Sequence, residues 1–349
     1  MQKYGSLLLT IAVFLAFLLC PTACAEGVRE GLALSAVEAL PALFPFFIAS
    51  GLLVRSGAVD ELARLLSRPL WRIYGLPPAG AGALLLGLVG GYPVGAATVS
   101  ELLARDRLSN SDASRLVAFC NCASPAFVIN LCGVMLFGSV KIGAILYLIH
   151  ALSALLTGLF VTRRPERRFA PPENTPHIRR EAFPTAFCGA VQSAAQTALI
   201  VTAFIAAFSV LLELLAPIIH TLPDAPVFSG LLELTNGLDH LNELTLPAAV
   251  LLPLTSFMLG FGGLSVHCQV HALLAPYGVP MRRFTLGKVL HGLIAAGLTI
   301  ALGRLLPQTL AVFAPDPTVS PLPDWVAIAA LLVLVLFPFW TGKKHKDTV

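Results

Sequence analysis

Two apolar stretches, far apart in this chain, are each interrupted near the middle by residues that break helices or need hydrogen-bond partners. They are Gly90-Gly91-Tyr92-Pro93 in the first and Thr235-Asn236-Gly237 in the second. Lipid offers no partner for a freed N–H or C=O, so unwound backbone at membrane depth persists only against protein or around a polar cavity. Breaks at matching places in two halves of a chain point to a binding site between the halves.

The membrane setting follows from composition. Hydrophobic residues make up 56% of 349 residues and charged residues only 12%, with a mean hydropathy of +0.82. So little polar surface cannot cover a soluble core of this size. About 20 apolar residues span the hydrocarbon layer, and such runs occur from Gly31 to Val54, Leu116 to Val140, Ile142 to Thr162, Ala182 to Leu212, Leu244 to Val266 and Val326 to Trp340. The predicted class is an all-α polytopic membrane protein.

Several function classes recede. The net charge of +4 is explained by cations at membrane surfaces, and nothing suggests nucleic acid as a partner. The run from Gly87 to Gly95 lacks the lysine and the strand-turn-helix setting of a phosphate loop, so no nucleotide-driven motor is expected. The seven cysteines lie almost entirely in apolar surroundings, and Cys120 and Cys122 point to different faces of a helix, which fits neither a redox pair nor a zinc pair. His267 and His271 share a helix face at the zinc-protease spacing, but Cys268 stands where the general base belongs. That leaves an intramembrane metalloenzyme as a remote alternative, and no cofactor or enzymatic activity is expected.

Lysine and arginine placement orients the chain, because short cytoplasmic loops carry the excess. With Lys3 inside, the stretch carrying Arg55, Arg64, Arg68 and Arg72 is cytoplasmic. A full crossing by Ala79 to Leu103 would put Arg105, Arg107 and Arg115 outside. A hairpin that dips in from the cytoplasm and turns at Gly91 avoids this, since each arm of about 11 residues reaches about 16 Å, half the bilayer. A second hairpin over Val227 to Glu243 then enters from the opposite face. This assignment places 20 of the 23 cations inside, with the C-terminal Lys343, Lys344 and Lys346 cytoplasmic.

The two halves then match, element by element, in opposite orientation: long span, hairpin, polar-centred span, closing span with a histidine. Gly91 and Asn236 are 145 positions apart, Phe119 and Phe257 138, His150 and His291 141. An inverted-topology repeat is predicted. Its parts are a signal-like or first transmembrane segment (1–29), a first repeat (30–162), a basic linker (163–181), a second repeat (182–306), and an external loop with a last helix and basic tail (307–349). Lys3, the run Leu7 to Cys20 and Ala23-Cys24-Ala25 fit a cleaved leader or a first span equally well.

The residues expected to face a solute are those that leave polar groups free at mid-depth. In the first half they are Gly91, Tyr92, Pro93, Asn121 and Ser124; in the second, Glu233, Thr235, Asn236, Gly262, Gly263, Ser265 and His267. Ionisable groups at such depth are costly and usually face a bundle interior. Ser124 and Ser265 can equally act as interhelical glue, His150 and His291 as packing histidines, and Glu101 as a neighbour of Arg105. Besides the lipid bilayer, the expected partner is a small polar solute or ion, and homo-oligomerisation stays open.

The strings GLVGGYPVGA, LVAFCNCASPAFV, SGLLELTNGL and LPLTSFMLGFGGLSVHCQV together resemble the nucleoside-recognition, or Gate-domain, family in its sporulation-associated membrane branch. The likeness runs from about Leu34 to Leu306. The family pattern commonly has Asn-Asn where this chain has Asn121-Cys122. The resemblance implies a fold similar to the halves of concentrative nucleoside transporters. It also implies a bacterial cell membrane as the location and a role in spore formation, to which the broken elements add binding or transport of a small polar, nucleoside-like solute through a midplane cavity. The competing reading is a non-transporting membrane scaffold that organises partners during spore formation.

Overall fold

The computed structural model describes residues 2–58, 61, 72–162, 181–219, 221, 225–244 and 246–305, all within one compact unit, Met1–Phe313. The stretch with Arg64 and Arg68, the linker over 163–180, the loop over 307–324, the span over 326–340 and the basic tail lie outside the described residues. Among the described residues every regular element is helical and there is no strand. Five helical spans are long and apolar enough to cross a membrane: Asn110–Leu136, Val140–Val161, Phe183–Ile219, Ala248–Tyr277 and Arg282–Arg304. A bent pair, Thr10–Leu19 with Pro21–Ala39 at 96°, brings the number to six if it counts as one span.

At the N-terminus, α1 (Gln2–Leu19) meets α2 (Pro21–Leu34), which runs through a π-helical turn (Ser35–Ala39) into α3 (Leu40–Arg55). The uninterrupted span expected over 31–54 is not formed. Pro41 opens α3 and Pro45 lies within it, and a proline removes a backbone donor and crowds the preceding turn. Residues 43–55 therefore count only as a shorter apolar helix.

The first hairpin comprises α4 (Pro78–Gly90) and α5 (Val94–Ala104), whose arms pack together. At 13 and 11 residues, neither arm can cross a bilayer alone. A broken span follows: α6 (Asn110–Cys120), an extended stretch over 121–124, then α7 (Pro125–Phe127) continuing as a π-helix (Val128–Leu136). Side-chain caps set the starts of these helices. Ser109 accepts from Asp112 N at 3.1 Å and Ser124 from Phe127 N at 3.1 Å, satisfying amides that the first turn leaves free. The closing helix α8 (Val140–Val161) is capped the same way by Ser139.

The second half opens with the 37-residue α9 (Phe183–Ile219), a wall against which α2 and α3 pack. The second hairpin is shorter: α10 (Ala225–Leu232) and α11 (Leu234–Asp239). Gly230 and Gly237 let its arms touch through backbone, since a Cβ on Gly237 would lie 2.0 Å from Gly230 Cα. The second broken span is α12 (Ala248–Phe261) and α13 (Gly263–Leu274), and α14 (Arg282–Leu305) closes the unit. The closing helices α8 and α14 pack on each other.

The outer faces of these helices are apolar and uncovered. Leu199 is 70% exposed, Phe160 67% and Leu148 65%. Side chains of this size repeated around a bundle suit hydrocarbon rather than water.

Candidate functional site

The breaks of both halves come together at Gly262. This residue joins α12 to α13 in the left-handed conformation, φ +83°, which a side chain would strain. A Cβ built there would sit 3.6 Å from the Tyr92 ring of hairpin one and 3.5 Å from Lys288 Cε. One residue on, Gly263 faces the second hairpin, with Gly230 O and Leu234 N each 3.1 Å from its Cβ position. Gly91 in turn lies against Ser124 of the first broken span.

Hydrogen bonds join the halves. The Tyr92 hydroxyl donates to the backbone oxygen of Leu259, one turn before the Gly262 break. Asn121 Oδ1 accepts from Ala96 N at 3.3 Å, tying the first broken span to hairpin one. Lys288 Nζ, fully buried on α14, lies 3.1 Å from Asn121 O, 3.4 Å from Tyr92 Oη and 3.5 Å from His291 Nδ1. It also stands 4.7 Å from the centre of the Tyr92 ring. Among the described residues no carboxylate is within ion-pair distance of it.

The backbone sets the histidine tautomers. Ala123 N donates to His150 Nε2 at 3.0 Å, so the His150 proton sits on Nδ1. His291 Nε2 lies 2.9 Å from His150 O and donates to it, which leaves His291 Nδ1 to accept from Lys288. The two rings are 4.5 Å apart. His150 Nδ1 and Asn121 Nδ2 are buried with no partner in the described structure. Lys288, Asn121 and His150 therefore present donors in a buried setting, where an unmet donor is costly. A solute carrying acceptor oxygens would satisfy them.

The expected site residues separate into two groups. Tyr92, Asn121 and Gly262 share the Lys288 cluster, and Gly91, Pro93 and Ser124 flank it along the chain. Glu233, Thr235 and Asn236 belong to a second group at hairpin two. There the Glu233 carboxylate caps α11 by accepting from Asn236 N at 2.8 Å, and Asn236 Nδ2 reaches Ser209 Oγ of α9 at 3.4 Å. Ser265 pairs with Gln269 at 3.1 Å. His267 bonds Gly263 O through Nδ1 at 2.8 Å and lies between the rings of Phe261 and Phe284, at 4.8 and 4.9 Å. Among the described residues, no group of three His, Cys, Asp or Glu is placed to hold a metal ion.

Lys288 counts among the 20 cations placed inside as topology signals, and the fold instead buries it within α14. The available signal was spacing: Lys288 precedes His291 by one helical turn, so both share a face of α14. Ser124, weighed as interhelical glue, acts as a helix cap. Glu101 does neighbour Arg105, at 3.0 Å. Two cavities flank the hairpins. One, of about 200 Å³, lies among α3, α5 and α9; the other, of about 150 Å³, lies beside hairpin two and includes Glu30, Glu213, Asn236 and His240.

Residues 36–209 match the family model described as Gate, nucleoside recognition. That segment includes Tyr92, Asn121 and His150 and stops short of Lys288 and hairpin two. The chain is 29% identical over 353 residues, covering 88% of its own length and 85% of the relative's, to the sporulation integral membrane protein YlbJ of Bacillus subtilis (strain 168). No solved structure matches the chain. Residues 36–209 of this integral membrane protein, with its several spans, thus match the nucleoside-recognition Gate model, and the chain as a whole is similar to a sporulation integral membrane protein.

Proposed function

We propose that this protein binds a small polar, nucleoside-like solute at the Tyr92–Asn121–His150–Lys288 cluster and passes it across the membrane during spore formation, without enzymatic chemistry. The observation that carries the reading is the meeting of both halves' breaks around a buried cation and two unpartnered donors. Base carbonyls and ribose oxygens are acceptors of the required kind. A role in spore formation is inferred from the similarity to YlbJ.

The mechanism is alternating access between two inverted halves, each carrying a hairpin that re-enters from its own face. The histidine pair supports the inverted repeat. His150 and His291 occupy equivalent places 141 positions apart, and residues related by a two-fold axis can touch only near that axis. Their rings are 4.5 Å apart. In this arrangement the C-terminus is cytoplasmic.

Uptake of labelled uridine and adenosine by vesicles containing the purified chain tests the reading. Uptake by wild type, lost in Asn121→Ala, is the expected result. If wild-type vesicles neither bind nor exchange either nucleoside, the proposal fails. Thiol labelling tests the topology: position 105 reacting from outside while position 72 reacts from the cytosol would remove the re-entrant hairpin and the repeat with it.

A further inference from the structure

The larger cavity has features that neither the family match nor the Lys288 cluster explains. It occupies about 200 Å³, room for roughly seven waters at about 30 Å³ each. Its walls are rich in hydroxyls for a membrane bundle: Ser50 from α3, Thr98 from α5, and Ser193 and Thr197 from α9. Thr98 Oγ1 spends its proton on Val94 O at 2.8 Å, and Thr197 Oγ1 on Ser193 O at 3.0 Å. Ser193 Oγ accepts from Arg55 Nη2 at 2.9 Å. Thr98, which Ser50 Oγ reaches at 3.4 Å, and Thr197 therefore turn remaining lone pairs to the space, while the Ser193 hydroxyl and the Gln196 amide can donate, so the wall offers both acceptors and donors.

Beside the cavity stands a closed ring of four charges. Arg55 Nη2 lies 3.3 Å from Glu101 Oε1, and Arg105 Nε lies 3.0 Å from the same oxygen. Arg105 Nη2 lies 2.9 Å from Glu181 Oε1, and Arg55 Nη1 completes the ring at 3.7 Å. The side chains are 18–28% exposed, so the ring is partly desolvated. Glu101 also lines the cavity, and Arg55 touches its wall through Ser193. The ring joins α3, the end of hairpin one and the approach to α9. Movement of the hairpin away from α9 must break the contacts of Arg105 and Glu101 with their partners across the gap.

We propose that this cavity is a loading site for a small, uncharged, polar solute that both donates and accepts hydrogen bonds, and that the Arg55–Glu101–Arg105–Glu181 ring is the gate that closes it. The inference rests on the solute-passage reading above and adds the place of entry and the barrier to it. Because the ring's charges cancel, the closed gate presents no net charge to a neutral solute. Opening exchanges short ion pairs for water, which two-state elements of this kind do readily when partly hydrated.

The test uses the full chain in membrane vesicles and a cationic, membrane-impermeant methanethiosulfonate reagent. The readout is modification of the thiol introduced by Thr197→Cys, followed by mass spectrometry. With the ring intact, the reaction is slow. Adding Glu101→Gln and Glu181→Gln is expected to raise the rate by about tenfold or more, as the closed population falls. Exchanging all four signs with Arg55→Glu, Glu101→Arg, Arg105→Glu and Glu181→Arg keeps every neighbour in the ring opposite in charge and is expected to leave the rate slow, and uridine is expected to slow the open variant. An unchanged rate on breaking the ring overturns the proposal. So does simultaneous labelling of the fully buried Cys120, because the ring would then hold the fold rather than a gate. Vesicles that move no nucleoside, yet show gated labelling, would sink the transport reading and leave the gated cavity standing.

Discussion

The bond from the Tyr92 hydroxyl to Leu259 O is the most direct link between hairpin one and the break of the opposite half. Tyr92→Phe removes only the hydroxyl. The ring remains, with its 4.7 Å approach to Lys288, and no cavity larger than one oxygen is left. Two losses follow. The α12 helix ends at Phe261, so the Leu259 carbonyl lies in a last turn whose acceptors lack regular partners. Leaving such a buried carbonyl unmet costs about 1–3 kcal/mol. Lys288 also loses one of its three acceptors, but that contact is 3.4 Å long, beyond the usual range, and adds about 0.5 kcal/mol.

The expected destabilisation is therefore about 2 kcal/mol, an apparent melting temperature lowered by about 4–8 °C in detergent if the size scaling of mid-sized soluble domains carries over. Tyr147→Phe is the matched control. Its hydroxyl donates to Leu88 O at 3.1 Å, a bond that stays within the first half, so its loss removes one ordinary hydrogen bond, about 1 kcal/mol, without parting the two halves. If Tyr92→Phe melts at the wild-type temperature, or destabilises no more than Tyr147→Phe, the bond does not join the two halves and the reasoning fails.

Three further outcomes are expected. Lys288→Met removes a buried cation that no described carboxylate neutralises. Relief of a desolvation cost of several kcal/mol roughly offsets three long hydrogen bonds, so thermal stability should stay within about 1 kcal/mol while nucleoside uptake falls to background in vesicles. Glu233→Gln keeps an oxygen to cap Asn236 N, whereas Glu233→Ala loses the cap and should cost about 1 kcal/mol in the same melting assay. Gly237→Ala would drive a Cβ to 2.0 Å from Gly230 Cα, a backbone clash that costs more than about 3 kcal/mol, and size-exclusion chromatography should show the folded peak lost.

Most of the framework could be read in the sequence because lipid makes backbone chemistry visible in composition. Charged residues bound the spans, and Gly, Pro, Asn and Thr mark where helices stop. The broken spans at Asn121 and Gly262 and the hairpins at Gly91 and Asn236 all fall where those residues stand. What composition cannot show is the direction in which a side chain points. Glu233 was expected to face a solute, and a carboxylate three residues before a helix amide is also an ideal cap, a role that composition does not show and the fold does. The π-helical turn between α2 and α3, which leaves residues 43–55 as a separate, shorter helix, was missed for a related reason. Pro41 and Pro45 lie in a run whose hydropathy alone reads as one continuous span.

Lys288 shows how the two kinds of information differ. In a count of cations it is one of 20 assigned to the cytoplasm, and removing it changes no orientation, since Arg282 and Arg283 carry the same signal six and five residues earlier. In the fold it is buried among acceptors from hairpin one, the first broken span and its own helix. A cation placed there for stability alone would have a carboxylate beside it, because an unpaired buried charge is among the costliest arrangements a bundle can hold. The contacts it makes instead are to the moving parts of the proposed mechanism: Tyr92 at the hairpin tip and Asn121 at the break. On the reading proposed above, its burial is a functional cost, offset when a solute brings acceptors to Lys288 and to the unpartnered donors of Asn121 and His150.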